Sequence, residues 1–193
     1  KDDGCVFPRD TLNVGSLFNG RLTYNKGAWV LHMLRDKIGD SAFFKGCRIY
    51  LTGTGRSYGF GTTTALQQCM EQASGRNLDT FFQQWYFGEG YPTYSLKWNQ
   101  TGNDVALEIS HTSSKPSITP TFTNPLEIRF TRQGLADTII RFNIFSNQDQ
   151  TSIYNIGPLT GSITIDPKNW IVNQVGTITQ DPSIQVGITE TRD

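Results

Sequence analysis

The stretch FGEGYPTYSLKW, residues 87–98, separates two parts of the chain that have different hydrophobic patterns. Before it, apolar residues such as Leu34 and Ile38 recur three or four positions apart, as on one face of a helix. After it, Tyr94 and Leu96 begin an alternation of apolar and polar residues, which is typical of half-buried strands. The sequence therefore predicts an α+β protein in two parts, a small helical lobe followed by an antiparallel β-sandwich.

Four short helices are predicted in the first part. The first begins near Leu22, ends at Gly39 and carries an apolar stripe. That stripe consists of Val30, Leu31, Leu34 and Ile38. The second starts at Asp40 or Ser41, the third covers about residues 62–73 and ends before Gly75, and the fourth follows it. Helices of this length in so short a segment indicate a compact helical lobe.

Short strands bounded by turn residues are predicted in the second part, and their number suits two facing sheets. They lie at residues 94–98, 105–109, 126–130, 138–145, 152–156, 162–165 and 169–173. The predicted domains are residues 1–92 for the helical part and 93–175 for the sandwich. Residues 176–193 lose the apolar pattern and are predicted to form a linker-like tail.

The charge and hydropathy of the chain argue against two classes of partner. Seventeen basic and seventeen acidic residues give a formal net charge of zero, so nothing favours binding to nucleic acid. No apolar run approaches the roughly 20 residues that a membrane-spanning helix needs. We therefore expect neither a nucleic-acid partner nor a membrane span.

The chain offers few residues for metal or covalent chemistry. Its two histidines, His32 and His111, are far apart in sequence, and no H-E-x-x-H motif is present. We therefore predict no metal-binding or cofactor-binding residues in the chain itself. The cysteines allow two interpretations. Either all of them are buried thiols, or Cys47 and Cys69 form a disulfide in an oxidising compartment.

One set of motifs does suggest a function. The string YNKGA at residues 24–28 is followed by VLHMLR at 30–35, then by GYP at 90–92 and PLEIRF at 125–130. In this order they resemble the gluzincin family of zinc aminopeptidases, which includes alanyl aminopeptidase and the leukotriene-hydrolysing enzymes, and in particular its secreted bacterial members. The resemblance covers most of residues 5–100 and extends loosely into the sandwich.

The resemblance implies a catalytic role for Tyr24. In that family the tyrosine of Y-x-K-G donates a hydrogen bond to the oxyanion that forms when water attacks the scissile carbonyl. A phenol, which keeps its proton at neutral pH, suits this role. The resemblance also implies that Gly27 allows a neighbouring element to approach closely and that Lys26 holds the local geometry.

The family's zinc ligands, its general-base glutamate and its G-x-M-E-N motif all precede that tyrosine, and this chain contains none of them. The resemblance therefore implies a fragment of a larger hydrolase, a secreted or periplasmic metallopeptidase with zinc as cofactor and peptides as substrates. By itself the fragment would supply Tyr24 without a metal site and would be inactive. The alternative is a peptidase-like protein in which these parts form a non-catalytic scaffold or a β-sandwich binding module.

Overall fold

Helices and strands occupy separate parts of the molecule. The computed structural model describes residues 3–187, and the chain divides into two compact units between Gly90 and Tyr91. The first unit is helical, and the second is built from strands in two sheets. The predicted α+β class, a helical lobe followed by a β-sandwich, is confirmed.

Five α-helices and two π-helical turns make up the helical unit within the described residues. They are α1 Val14–Leu17, a first π-helical turn at Gly20–Lys26, α2 Gly27–Ile38, α3 Asp40–Thr52, α4 Thr63–Ser74, α5 Asp79–Phe82 and a second π-helical turn at Gln83–Phe87. Local signals set their ends: Thr62 caps α4 by accepting a hydrogen bond from Ala65 N at 3.2 Å, and Gly75, with φ of 68°, follows its last residue. Between residues 3 and 187, no helix combines the length and the apolar character needed to cross a bilayer.

The buried stripe of α2 differs from the predicted one by a single residue. Val30, Leu34 and Ile38 are buried as predicted. Leu31, however, is 42% exposed, and Met33 is buried instead. With about 100° of rotation per residue, Met33 and Ile38 flank the line through Val30 and Leu34, whereas Leu31 lies beyond Ile38 at the margin of the stripe.

The β unit contains seven strands within the described part of the chain. They are β1 Pro92–Thr101, β2 Asp104–Ser113, β3 Pro125–Arg132, β4 Thr138–Asn143, β5 Gln148–Ile153, β6 Leu159–Ile165 and β7 Gln174–Gln180. One sheet has the strand order β5-β2-β1-β7 and the other has the order β4-β3-β6. β1 and β2 form a hairpin whose turn contains Gly102 at a φ of 61°, and β7 runs parallel to β1.

The prediction of a strand at residues 169–173 is wrong, because this segment is a loop after β6. The buried carboxylate of Asp166 accepts hydrogen bonds from Trp170 N at 2.8 Å and from Ile171 N at 3.0 Å. The side-chain amide of Asn173 also donates to it at 3.0 Å. These bonds give the backbone an alternative to a sheet ladder, so the apolar residues of the segment do not extend into a strand.

The linker-like tail predicted from residue 176 is wrong at its start, where the chain forms β7. Further on, Asn99 Nδ2 donates a hydrogen bond to the Ile184 carbonyl at 2.9 Å. Every residue of β7 is exposed or half-buried, so no apolar alternation marked it in the sequence. Residues 188–193 of the predicted tail lie outside the described residues.

Candidate functional site

Tyr24 lies in the first π-helical turn, immediately before α2. Asn19 caps this turn: its Oδ1 accepts hydrogen bonds from Arg21 N at 3.1 Å and from Leu22 N at 2.9 Å. The sequence prediction began the helix near Leu22 and missed this cap, although asparagine is a favoured capping residue. The turn that carries the candidate residue is therefore held firmly at its start.

The far end of the turn continues directly into α2. Gly27 N donates to the Leu22 carbonyl, which is the i to i+5 bond of a π-helix, and also to the Tyr24 carbonyl. Tyr24 is 56% exposed. The backbone of Tyr24 is thus fixed by hydrogen bonds while its side chain is accessible from solvent, and single π-helical turns are frequent at functional sites.

The ammonium group of Lys26 links this turn to two other segments of the helical unit. It donates hydrogen bonds to the Gly4 carbonyl at 3.2 Å and to the Gly88 carbonyl at 3.0 Å. Burial lowers the pKa of Lys26, and the negative charge of the neighbouring Glu89 carboxylate acts against that shift. Lys26 therefore holds the local geometry, in agreement with what the resemblance implied.

Glu89 is buried beside the same segment. Its Oε2 accepts a hydrogen bond from Gly4 N at 2.8 Å, and its Oε1 lies 3.1 Å from a guanidinium nitrogen of Arg9. Because the Arg9 side chain is largely exposed, this ion pair adds little stability, and the buried bond to Gly4 is the more important contact. Sequence reasoning gave Glu89 no role, since its partner Gly4 is 85 positions away.

Close approach in this region depends on Gly4 and not on Gly27. The φ of Gly4 is +93°, and a Cβ placed there would lie only 2.6 Å from Leu22 Cδ1. Among residues 3–187, the one atom within 4 Å of a Cβ at Gly27 would be Val6 Cγ1, at an ordinary 3.8 Å. The expectation that Gly27 permits a close approach is therefore wrong, and Gly4 is the residue that lets the N-terminal segment pack on the turn.

The described residues provide no metal centre. No group of three or more His, Cys, Asp or Glu side chains within residues 3–187 is arranged to hold a metal ion. His32 packs edge-on against Trp29, with ring centroids 5.3 Å apart, beside an open depression of about 320 Å³, whereas His111 belongs to the β unit. Cys47 and Cys69 are free thiols in this structure. The residues present thus do not fit the zinc ion that the resemblance implies.

Comparison with known proteins relates the helical unit to one enzyme family. Residues 8–85 match the family model described as the Peptidase family M1 domain. The chain is 30% identical over 131 residues to glutamyl aminopeptidase of Rattus norvegicus, covering 67% of this chain and 14% of that protein. It is 35% identical over 102 residues to aminopeptidase N of Caulobacter vibrioides, covering 52% and 11%. The chain thus spans only a small share of these curated relatives.

A solved structure agrees with the fold of both units. Aminopeptidase A of Legionella pneumophila, crystallised with aspartic acid, aligns with a TM-score of 0.72 over 91% of this chain and 20% of that one. Sequence identity in this alignment is 14%, so the likeness shows the fold alone. The sequence matches support one conclusion about ancestry. Through residues 8–85, the chain belongs to peptidase family M1.

Proposed function

We propose that this chain is part of a zinc-dependent aminopeptidase and that Tyr24 stabilises the transition state of peptide hydrolysis. Three observations support the proposal: the family match, the aminopeptidase names of the relatives, and the exposed side chain of Tyr24 on a capped turn. The third observation carries it. A donor aimed at a developing charge must be both accessible and held in place; Tyr24 is accessible, and the backbone that carries it is fixed by hydrogen bonds.

The proposed chemistry of Tyr24 is hydrogen-bond donation. When water adds to the carbonyl carbon of the first peptide bond of a substrate, the carbonyl oxygen gains negative charge. A phenol is protonated at neutral pH and can donate to this oxygen without changing its own charge. The N-terminal end of the helical segment adds partial positive charge nearby. Both effects stabilise the transition state more than the bound substrate, which is the requirement for a higher kcat.

The remaining catalytic groups are assigned to a part of the protein outside this chain. The described residues form no metal site, so the proposal derives no step of the reaction through zinc. It gives this chain the transition-state donor and, on its own, no activity. The complete protein is proposed to be exported, as are the secreted bacterial enzymes that the motifs resemble. Fractionation of the producing cells tests this location.

The test of the function is Tyr24→Phe in the complete aminopeptidase. We expect kcat for its best aminoacyl-p-nitroanilide to fall about 10²- to 10³-fold, with KM and zinc content little changed, because one oxyanion donor is lost. The matched control is Tyr58→Phe, since Tyr58 is fully exposed on the loop between α3 and α4. The isolated chain, assayed alongside, should hydrolyse none of the substrate.

Two results would contradict the proposal in different ways. Normal turnover by Tyr24→Phe would remove this residue from the mechanism while leaving the enzyme class intact. A complete protein that hydrolyses no aminoacyl substrate would instead favour the non-catalytic scaffold or the β-sandwich binding module.

A further inference from the structure

The exposed side chain of Tyr24 depends on its backbone for a fixed direction. Tyr24 is more than half exposed, so packing constrains the position of its ring only in part. A reacting group must be held to within about an ångström for efficient catalysis. Whatever holds the π-helical turn therefore also sets the position of the hydroxyl group.

A half-buried ammonium and a buried carboxylate hold Gly4 against that turn. The Gly4 carbonyl accepts from the Lys26 ammonium at 3.2 Å, and Gly4 N donates to the Glu89 carboxylate at 2.8 Å. The donor and acceptor of one glycine are thus bound by two side chains that come from distant parts of the unit. Charge-assisted hydrogen bonds of this kind are stronger than neutral ones.

Gly4 contacts the π-helical turn before Tyr24, and Lys26 is anchored in the same turn after Tyr24. Gly4 adopts a φ of +93° and lies so close to Leu22 that a Cβ would come within 2.6 Å of Leu22 Cδ1. Leu22 precedes Tyr24 by two residues and Lys26 follows it by two, so both contacts are within one helical turn of it. The second carbonyl bound by Lys26, that of Gly88 at 3.0 Å, ties the same ammonium to the end of the unit.

We propose that Lys26 and Glu89 form a charged clamp on Gly4 and are positioning residues for Tyr24 in the aminopeptidase reaction. The inference rests on the proposed function, because it gives the clamp a purpose only if Tyr24 acts in catalysis. Lys26 contacts main-chain carbonyls and Glu89 contacts a main-chain amide, so neither is assigned contact with the substrate. Their effect on rate passes through Tyr24.

The experiment is a double-mutant cycle in the complete aminopeptidase. Lys26→Met, which keeps an unbranched side chain of nearly the same length and removes its charge, should lower kcat about 10- to 100-fold with little change in KM. In the Tyr24→Phe background the same substitution should lower kcat no more than about twofold, because the hydroxyl that it positions is already absent. Lys45→Met is the matched control, since Lys45 is exposed on α3 and should leave kcat unchanged.

A second variant keeps the proposal testable if Lys26→Met does not fold. Glu89→Gln retains an oxygen that can accept from Gly4 N but loses the charge, and it should lower kcat about 3- to 10-fold with the same dependence on Tyr24. An equal loss of kcat in both backgrounds would overturn the clamp as a positioning device while leaving the role of Tyr24 intact. Normal turnover by Tyr24→Phe alone would overturn both proposals, so the two failures are distinguishable.

Discussion

At the residue scale, Gly46 sets the distance between two helices because it has no side chain. A Cβ at this position of α3 would lie 3.2 Å from Met70 Cα and 3.4 Å from the Cys69 carbonyl oxygen, both in α4. Met70 is completely buried, so its side chain has little room to move aside. The two helices can therefore approach this closely only with glycine at position 46.

Gly46→Leu should destabilise the helical unit by about 1 to 3 kcal/mol, because the added carbons must push α3 away from α4. Leucine favours a helix more than glycine does, and this offsets up to about 1 kcal/mol of the loss. The measurement is thermal unfolding followed by circular dichroism at 222 nm, with Lys45→Leu on the exposed face of α3 as the control. A melting temperature equal to that of the unchanged chain would show that the contact with α4 is not tight.

Residues of the candidate site differ in how far the sequence could reveal them. Tyr24 was singled out as a candidate because a local motif, readable over five positions, marks it by resemblance, and its catalytic role stays a prediction. Glu89 was not, because the hydrogen bond that explains it joins residues 85 positions apart and exists only once the unit has folded. Asn19 is an intermediate case, since its capping chemistry was visible in the sequence but lay just upstream of the helix that the apolar stripe indicated.

At the scale of elements, the pairing of β1 with β2 buries a histidine. His111 in β2 is directly opposite Tyr94 in β1, and their ring centroids are 5.4 Å apart. His111 Nε2 accepts a hydrogen bond from Phe122 N at 3.0 Å, which requires that nitrogen to be unprotonated. Burial lowers the pKa of His111, and the negative charge of Asp149 acts against that shift.

The β unit should lose stability as the pH falls below about 6.5, the ordinary pKa of histidine. Since the pKa is lower in the folded state, the unfolded chain takes up the proton first, and the contribution that is complete at higher pH disappears on acidification. His111→Gln keeps an acceptor for Phe122 N but cannot titrate, so its free energy of unfolding should vary less between about pH 7 and pH 5. Urea unfolding monitored by tryptophan fluorescence measures this difference.

The other histidine supplies the control for this measurement. His32 belongs to the helical unit, so His32→Gln should leave the pH dependence of the β unit unchanged. If His111→Gln showed the same loss of stability on acidification as the unchanged chain, the effect would have to come from other titrating groups. The assignment to His111 would then be wrong.

Elements were predictable where a repeating pattern of burial defines them. The hairpin of β1 and β2 has one face buried, and its alternation and turn residues marked it clearly. β7 has no buried face, and what defines it is the backbone pairing with β1, about 80 positions earlier in the chain. In the loop after β6 a strand was predicted where none forms. Apolar residues are present there, but backbone amides of the segment donate hydrogen bonds to the Asp166 carboxylate and not to a neighbouring strand.

At the scale of the whole molecule, the two units differ in how they treat large apolar side chains. The helical unit leaves many of them exposed, including Leu12 and Phe60, each at 95%, and Val14 at 68%. The β unit buries a continuous set of them, most on its strands. They include Tyr94, Leu96, Leu107, Ile109, Phe122, Leu126, Ile128 and Phe130. Since burial of apolar surface is the main driving force of folding, the β unit has the more complete core of its own.

Residues 91–193 should therefore fold without the helical unit. Both sheets and all their ladder partners lie within this segment, and about 100 residues suffice for an independent core. We expect cooperative urea unfolding, followed by the fluorescence of Trp98 and Trp170, and little binding of the dye ANS. Residues 1–90, produced separately, should bind ANS strongly because exposed apolar surface attracts it. Strong ANS binding or gradual unfolding of the 91–193 segment would contradict this, since a core closed within one unit needs no support from the other.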